Sequence, residues 1–155
     1  PQLGLMPSAT TQTPVGPLTL TETDGAITTV TWGGTAADET PLLQKAKAQL
    51  DRYFTGERTD FDLPLSVAGS DLQRAVCDAM CAIPFGETRT YGDLAKALNV
   101  PAQAIGQACG GNPIPVIIPC HRVLGASSLG GFSGGTGVET KVALLKHEGA
   151  ASLLI

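Results

Sequence analysis

One short segment of the chain carries residue types that could do chemistry: Pro119-Cys120-His121-Arg122-Val123, placed behind the apolar run Ile114-Pro115-Val116-Ile117-Ile118. A cysteine is a nucleophile only as its thiolate, and a free cysteine, with a pKa of about 8.5, is mostly protonated near neutrality. An adjacent imidazole is the commonest device for taking that proton. A nucleophile on an open surface needs no apolar run to deliver it, whereas one that meets a single small group in a dry pocket does. The plainer reading makes Cys120 a small buried hydrophobe, as free cysteines often are. The histidine directly after it argues against that reading. Side chains of neighbouring residues in a strand point to opposite faces. Cooperation between Cys120 and His121 therefore requires the backbone to turn between Pro119 and Arg122, which the proline before and Gly125 after permit.

The elements that must position this segment lie on either side of it. Ser70 and Gln73 have capping-box spacing, and Leu72, Ala75, Val76, Ala79, Met80 and Ile83 follow at helical spacing until Pro84. Thr90 and Asp93 cap a second helix with Tyr91, Leu94, Ala95 and Leu98 on one face. Asn99-Val100-Pro101 is a tight turn into a third helix that runs to about Cys109 and stops at Gly110-Gly111. Two short helices joined by three residues have the layout of a helix-turn-helix; an ordinary helical hairpin has it too. The third helix is slim, with Ala102, Ala104, Gly106 and Ala108, and only Gln103 and Gln107 could read base edges. Such a helix suits close approach to the DNA backbone or minor groove. The helix containing Val138, Val142 and Leu145 closes the chain.

The first 66 residues show nothing chemical and read as a small α/β domain. Pro17–Glu22 and Ala26–Trp32 flank Asp24-Gly25, a strong hairpin signal. Thr40 and Pro41 open a helix with Leu43, Ala46, Leu50, Tyr53 and Phe54 on one face, ended by Gly56. Phe61, Leu63 and Leu65 alternate like a short strand, Ser66–Gly69 is a candidate linker, and Pro1–Pro14 reads as a floppy lead-in. The expected class is α+β, with residues 1–66 as the N-terminal α/β domain and residues 70–155 as a helical C-terminal domain with a helix-turn-helix.

The stretch Asn112-Pro113-Ile114-Pro115-Val116-Ile117-Ile118-Pro119-Cys120-His121-Arg122-Val123 closely resembles the active-site signature of the O6-alkylguanine-DNA alkyltransferases. Leu144-Leu145-Lys146-His147-Glu148-Gly149 resembles the same family's closing motif. The likeness is strong over residues 70 to 149 and general over the first 66, where it implies a ribonuclease H-like domain. It implies DNA repair by irreversible, single-turnover transfer of an alkyl group from O6-alkylguanine in double-stranded DNA to Cys120. No cofactor or metal is implied, and the expected state is a cytoplasmic monomer. It implies a relay of Cys120, His121 and Glu148, with Asn112 as a hinge that ties the helix pair to the cysteine loop. A carboxylate in that place orients the imidazole. Without the resemblance Glu148 would be a solvated helix end. It implies DNA or base contacts for Tyr91, Gln103, Val123, Phe132 and Ser133, with the glycine-rich loop Gly130–Gly135 walling the base pocket. Tyr91 would equally serve as a core aromatic.

The chain departs from the family pattern in three places. The family's intercalating arginine falls at Gln103, which has no charge and cannot stack as a guanidinium does. The loop's usual tyrosine is Phe132, which removes a phenolic donor. Gly110 stands where a basic residue is common.

Composition sets outer bounds. A length of 155 residues allows one ordinary domain or two small ones. No apolar run reaches the roughly 18 residues of a membrane span, and the first residues do not read as a signal peptide. Net charge is −4, awkward for a DNA binder, but residues 1–87 hold eleven acids against five bases, and residues 88–138 sum to +2 with no acid from Leu94 to Val138. Phosphate contacts must then lean on backbone N–H groups and helix N-termini. The four cysteines do not form a disulfide framework; Cys77 and Cys81 lie four apart on one helix without the further ligands a zinc ion needs. Arg122, among apolar neighbours, requires a carboxylate, for which Glu87 is the candidate. His147 reads as support for a helix C-terminus. Two other functions stay open: a module that binds alkylguanine without transfer, and a thiol hydrolase using the Cys-His pair, which would need an oxyanion site.

Overall fold

The computed structural model describes residues 6–125 and 137–150. Two compact units meet in sequence between Ser66 and Val67.

The first unit is a three-stranded antiparallel sheet covered on one face by a helix. The strands are β1 (Ser8–Thr13), β2 (Gly16–Thr23) and β3 (Ala26–Trp32), in the order β1-β2-β3. Asp24 and Gly25 both take positive φ, 51° and 77°, the geometry of the turn that matches strand twist. Helix α1 (Pro41–Phe54) starts on Thr40, whose hydroxyl accepts from Leu43 N, and buries Leu43, Ala46, Leu50 and Tyr53. Facing them are Ala9, Leu18, Leu20, Ile27 and Val30.

Two sequence expectations fail in this unit. Residues 8–13 are an edge strand, not part of a floppy lead-in. The turn into β2 uses Gly16 at φ 100° together with the Thr13 hydroxyl, which accepts from Val15 N at 3.1 Å and donates to Gly16 O at 2.6 Å. The strand's inward residues are Ala9 and Thr11, the latter bonded to Asp51 Oδ1 at 2.9 Å, so no apolar alternation announced it. Phe61–Leu65 is not a strand either: only Leu65 bridges Ile27. The side-chain amide of buried Gln49 occupies both backbone groups of Asp62, at 2.9 and 3.1 Å, in place of a neighbouring strand.

The second unit holds helix α2 (Asp71–Cys81), strand β4 (Arg89–Thr90), helices α3 (Tyr91–Leu98) and α4 (Ala102–Gly110), a 3-10 turn (Cys120–Arg122), strand β5 (Val123–Leu124) and helix α5 (Val138–His147). Ser70 caps α2 at 3.1 Å, but Gln73 does not close the box. Its amide donates instead to Ala108 O at 2.7 Å, tying α2 to α4. The Thr90–Asp93 box on α3 is complete. Asn99, left-handed at φ 57°, ψ 49°, ends α3, and Pro101 opens α4. The parallel β4–β5 pair joins the start of α3 to the end of the cysteine segment. The core gathers Val76, Met80, Ile83, Leu94, Ile105, Ile114, Ile118, Val123, Leu144 and Leu145.

Helix α5 is buried along one side only. Val138 is exposed, while Thr140, Lys141, Leu144 and Leu145 are buried. Lys141, Leu145 and Glu148 therefore lie on one stripe at helical spacing.

Candidate active site

The cysteine segment is bent twice before it delivers its side chains. Asn112 Nδ2 donates to Ile118 O at 2.9 Å while its Oδ1 accepts from Ile114 N at 3.0 Å. Both bonds lie on the cysteine side; the link back to α4 is through the Asn112 backbone N–H and Cys109 O, 3.3 Å. The clamped turn forces Val116, buried and β-branched, to φ 72°. Left-handed geometry in such a residue costs on the order of 1–3 kcal/mol and persists only where surroundings dictate it. After Pro119 the chain tightens into the 3-10 turn, the reversal that cooperation between Cys120 and His121 requires.

Cys120, His121 and Arg122 are all buried, His121 completely. His121 Nε2 lies 2.8 Å from Glu148 Oε2. Arg122 forks onto the same carboxylate, with Nε 2.8 Å from Oε1 and one terminal nitrogen 2.9 Å from Oε2. Its other terminal nitrogen donates to Ile83 O at 2.6 Å. Arg122 is thus paired with Glu148, not Glu87. Glu87 sits on the exposed turn after Pro84 and pairs with Arg89 at 3.2 Å. A buried guanidinium and a buried carboxylate offset each other's desolvation, which a carboxylate left in solvent cannot do.

Protonation states follow from these contacts. Burial holds His121 below the ordinary imidazole range against the pull of Glu148, with the Arg122 and Lys141 charges adding to the lowering. A neutral imidazole facing an ionised carboxylate donates from Nε2. That leaves Nδ1 with the lone pair, and among the described residues buried Nδ1 has no hydrogen-bond partner. The site holds a base with its accepting atom free. Burial pushes the Cys120 thiol above its ordinary value; the Asn112 amide and the Lys141 ammonium oppose this without overcoming it. The resting sulfur is therefore a protected thiol rather than the acidified one an adjacent histidine suggests, because desolvation penalises the thiolate more than these partners favour it.

Family models account for nearly the whole chain. The 6-O-methylguanine DNA methyltransferase ribonuclease-like domain matches residues 6–67, and the DNA binding domain of the same proteins matches residues 71–150. The chain belongs to the 6-O-methylguanine DNA methyltransferase family. It is 42% identical over 150 residues to the methylated-DNA–protein-cysteine methyltransferase of Mycobacterium bovis, covering 90% of each chain. It is 42% identical over 154 residues to the constitutive enzyme of that name from Bacillus subtilis, covering 90% of this chain and 93% of that one. Among solved structures it resembles the O6-methylguanine methyltransferase of Mycobacterium tuberculosis, with a TM-score of 0.82, 38% identity and coverage of 95% and 94%. The same organism's OGT in complex with DNA gives a TM-score of 0.83, 40% identity and 93% coverage of both chains.

The other expected site residues scatter around this buried cluster. Tyr91 is half-buried at the start of α3, its ring 5.9 Å from the Lys141 ammonium. Gln103 is exposed on the first turn of α4. Val123 is fully buried, and its carbonyl accepts from Lys141 Nζ at 2.7 Å. Phe132, Ser133 and the glycine-rich loop lie outside the described residues. His147, expected at a helix end, sets its ring edge-on to Phe85, centroids 6.3 Å apart. Among the described residues no group of His, Cys, Asp and Glu could hold a metal ion, and no helix is long and apolar enough to cross a membrane.

Sequence reasoning missed Lys141. It is buried, and its charge acts on both Cys120 and Cys109, whose thiol burial pushes up to about 12. The signal was present in the 141-145-148 stripe, hidden because a lysine was not counted as an inward residue.

Proposed function

We propose that the chain removes the alkyl group from O6-alkylguanine in double-stranded DNA and keeps it on Cys120, one transfer per molecule. The Cys120 proton passes to His121 Nδ1, directly or through one water, while Glu148 steadies the imidazolium through Nε2. The sulfur attacks the alkyl carbon. The S–C bond forms, the C–O6 bond breaks, and its electron pair passes to the guanine, which takes up a proton and is restored. The resulting thioether offers no leaving group that water displaces readily, so each chain acts once.

The observation that carries this reading is the 2.8 Å contact of His121 Nε2 with Glu148, which leaves Nδ1, on the residue that follows Cys120, without a hydrogen-bond partner among the described residues. Asn112 braces the segment. The raised resting thiol fits the role, because Cys120 then stays unreactive until a base is delivered.

DNA approaches through the helix pair α3–α4, acting as a helix-turn-helix. Pro101 gives α4 no side-chain cap, so its first N–H groups are left for phosphate oxygens, and no acid lies from Leu94 to Val138. Gln103 fills the gap left by the flipped base, at a cost of a few kcal/mol for unstacking. Tyr91, Val123, Phe132 and Ser133 are assigned to contacts with the DNA or the base. Residues 70–155 carry binding and transfer, and residues 1–66 form a separate domain without chemistry. The protein works as a cytoplasmic monomer, where its four free cysteines stay reduced.

The test is the fate of the base. Duplex DNA containing O6-methylguanine is incubated with limiting protein and its nucleosides are separated. One guanine restored per chain, and none with Cys120→Ser, supports the reading. More than one per chain means hydrolysis; none with the unaltered chain means binding alone.

A further inference from the structure

We propose that Arg122 is a positioning residue of the transfer site: it fixes the Glu148 carboxylate and keeps the Glu148–His121 pair from loading a proton before Cys120 supplies one. The inference rests on the reading of Cys120 as the alkyl acceptor.

The guanidinium is held on several sides. Its fork takes both oxygens of Glu148, and its remaining terminal nitrogen donates to Ile83 O just beyond α2. The Phe85 ring lies 5.9 Å from its carbon. The turn behind it is equally close: a Cβ on Gly86, at φ 84°, would come within 3.3 Å of Glu148 O. Glu148 Oε2 is therefore shared, accepting from Arg122 and meeting His121 Nε2. The oxygen that orients the imidazole is the one Arg122 neutralises.

Burial acts most strongly on His121 and favours the neutral ring, while the Glu148 carboxylate 2.8 Å away pulls toward the imidazolium. A pre-formed imidazolium could not accept the Cys120 proton. Arg122 opposes that outcome. The charged groups facing His121 are Glu148 at the end of α5, Lys141 within α5 and Arg122 on its own turn; Cys81, at the end of α2, also feels Arg122. With His121 neutral, Arg122 and Glu148 cancel. The proton then leaves Cys120 Sγ for His121 Nδ1, the sulfur keeps its electron pair for the new S–C bond, and no contact to Glu148 has to be remade.

The experiment compares the unaltered chain with Arg122→Met and Arg122→Lys. Transfer rates are measured across a pH series and normalised to the active fraction given by the stoichiometric end point. Separately, the His121 ring is titrated by NMR; the chain has two histidines, and His147→Gln separates them.

In Arg122→Met the His121–Glu148 pair should take up its proton at higher pH than in the unaltered chain. Below that point its transfer rate should fall about tenfold per pH unit. Arg122→Lys, which keeps the charge but loses the fork, should slow transfer at every pH and move the profile less. Superimposable profiles and ring titrations for the unaltered chain and Arg122→Met, at whatever stability, would overturn the proposal. If Arg122→Met does not fold, an Arg122→Lys chain with unchanged rate and titration overturns it. An unaltered chain that transfers no alkyl group sinks the transfer reading instead, and the ring titration still decides whether Arg122 sets the proton affinity of His121.

Discussion

Replacing Glu148 by glutamine changes one atom and removes the hub of three contacts, two from Arg122 and one from His121. The glutamine keeps one acceptor and turns its amide donor toward the donors of Arg122. Arg122, 6% exposed, is left without a counter-charge. Breaking a buried pair in this way costs about 3–5 kcal/mol. With a urea dependence of about 2 kcal/mol per molar, a loss of about 4 kcal/mol lowers the unfolding midpoint by about 2 M. Far-UV circular dichroism is the proper probe, because Trp32 reports only on the first unit. The double variant Arg122→Met/Glu148→Gln removes both charges and should recover most of the midpoint. It should not recover transfer, which in both variants should fall about 10²–10⁴-fold for want of an oriented base. A midpoint drop in Glu148→Gln below about 0.5 M, or a double variant no more stable than the single one, would refute the claim that Glu148 holds this site together through charge.

Three further outcomes are expected. Because Cys120 lies above the ordinary thiol value, its thiolate fraction near neutrality is below that of a free thiol; its alkylation by iodoacetamide should be slow at pH 7 and still rising where a free thiol has levelled off, and a plateau at lower pH would contradict the burial argument. Gln103→Arg should speed transfer on duplex DNA and leave transfer from free O6-alkylguanine base nearly unchanged, since a free base needs no flipping; equal effects on both substrates would remove Gln103 from the wedge role. Asn112→Ala removes two hydrogen bonds across the Ile114–Ile118 turn, worth about 1 kcal/mol each, and releases the strain at Val116. It should therefore slow transfer more than it lowers the melting temperature, and hydrogen exchange at the Ile114 amide, which loses its acceptor, should rise.

The site was legible in the sequence where chemistry and spacing coincide. The turn at Cys120–Arg122 follows from requiring adjacent side chains to cooperate, and the caps at Thr40, Ser70 and Thr90 follow from residue type. What escaped was decided by long-range pairing of polar groups. Nothing local says that Arg122 meets Glu148 rather than Glu87, because the choice depends on which carboxylate the fold buries. Gln73 looked like half of a cap and became a bridge to Ala108. β1 was invisible because hydroxyls, not apolar side chains, join Gly16 in its turn and make its bond to α1. Phe61–Leu65 alternates as a strand does, yet the Gln49 amide took both backbone groups of Asp62, and only the Pro64–Leu65 end meets β3.

The central claim is that Cys120 is the permanent acceptor of the alkyl group. Intact-mass measurement after incubation with excess O6-methylguanine duplex tests it most directly, followed by peptide mapping. The account predicts that every active chain gains the mass of a single CH₂, placed on the peptide containing Cys120, and that the adduct survives removal of the DNA. An unchanged mass while guanine is restored, or an adduct on Cys77, Cys81 or Cys109, would contradict it.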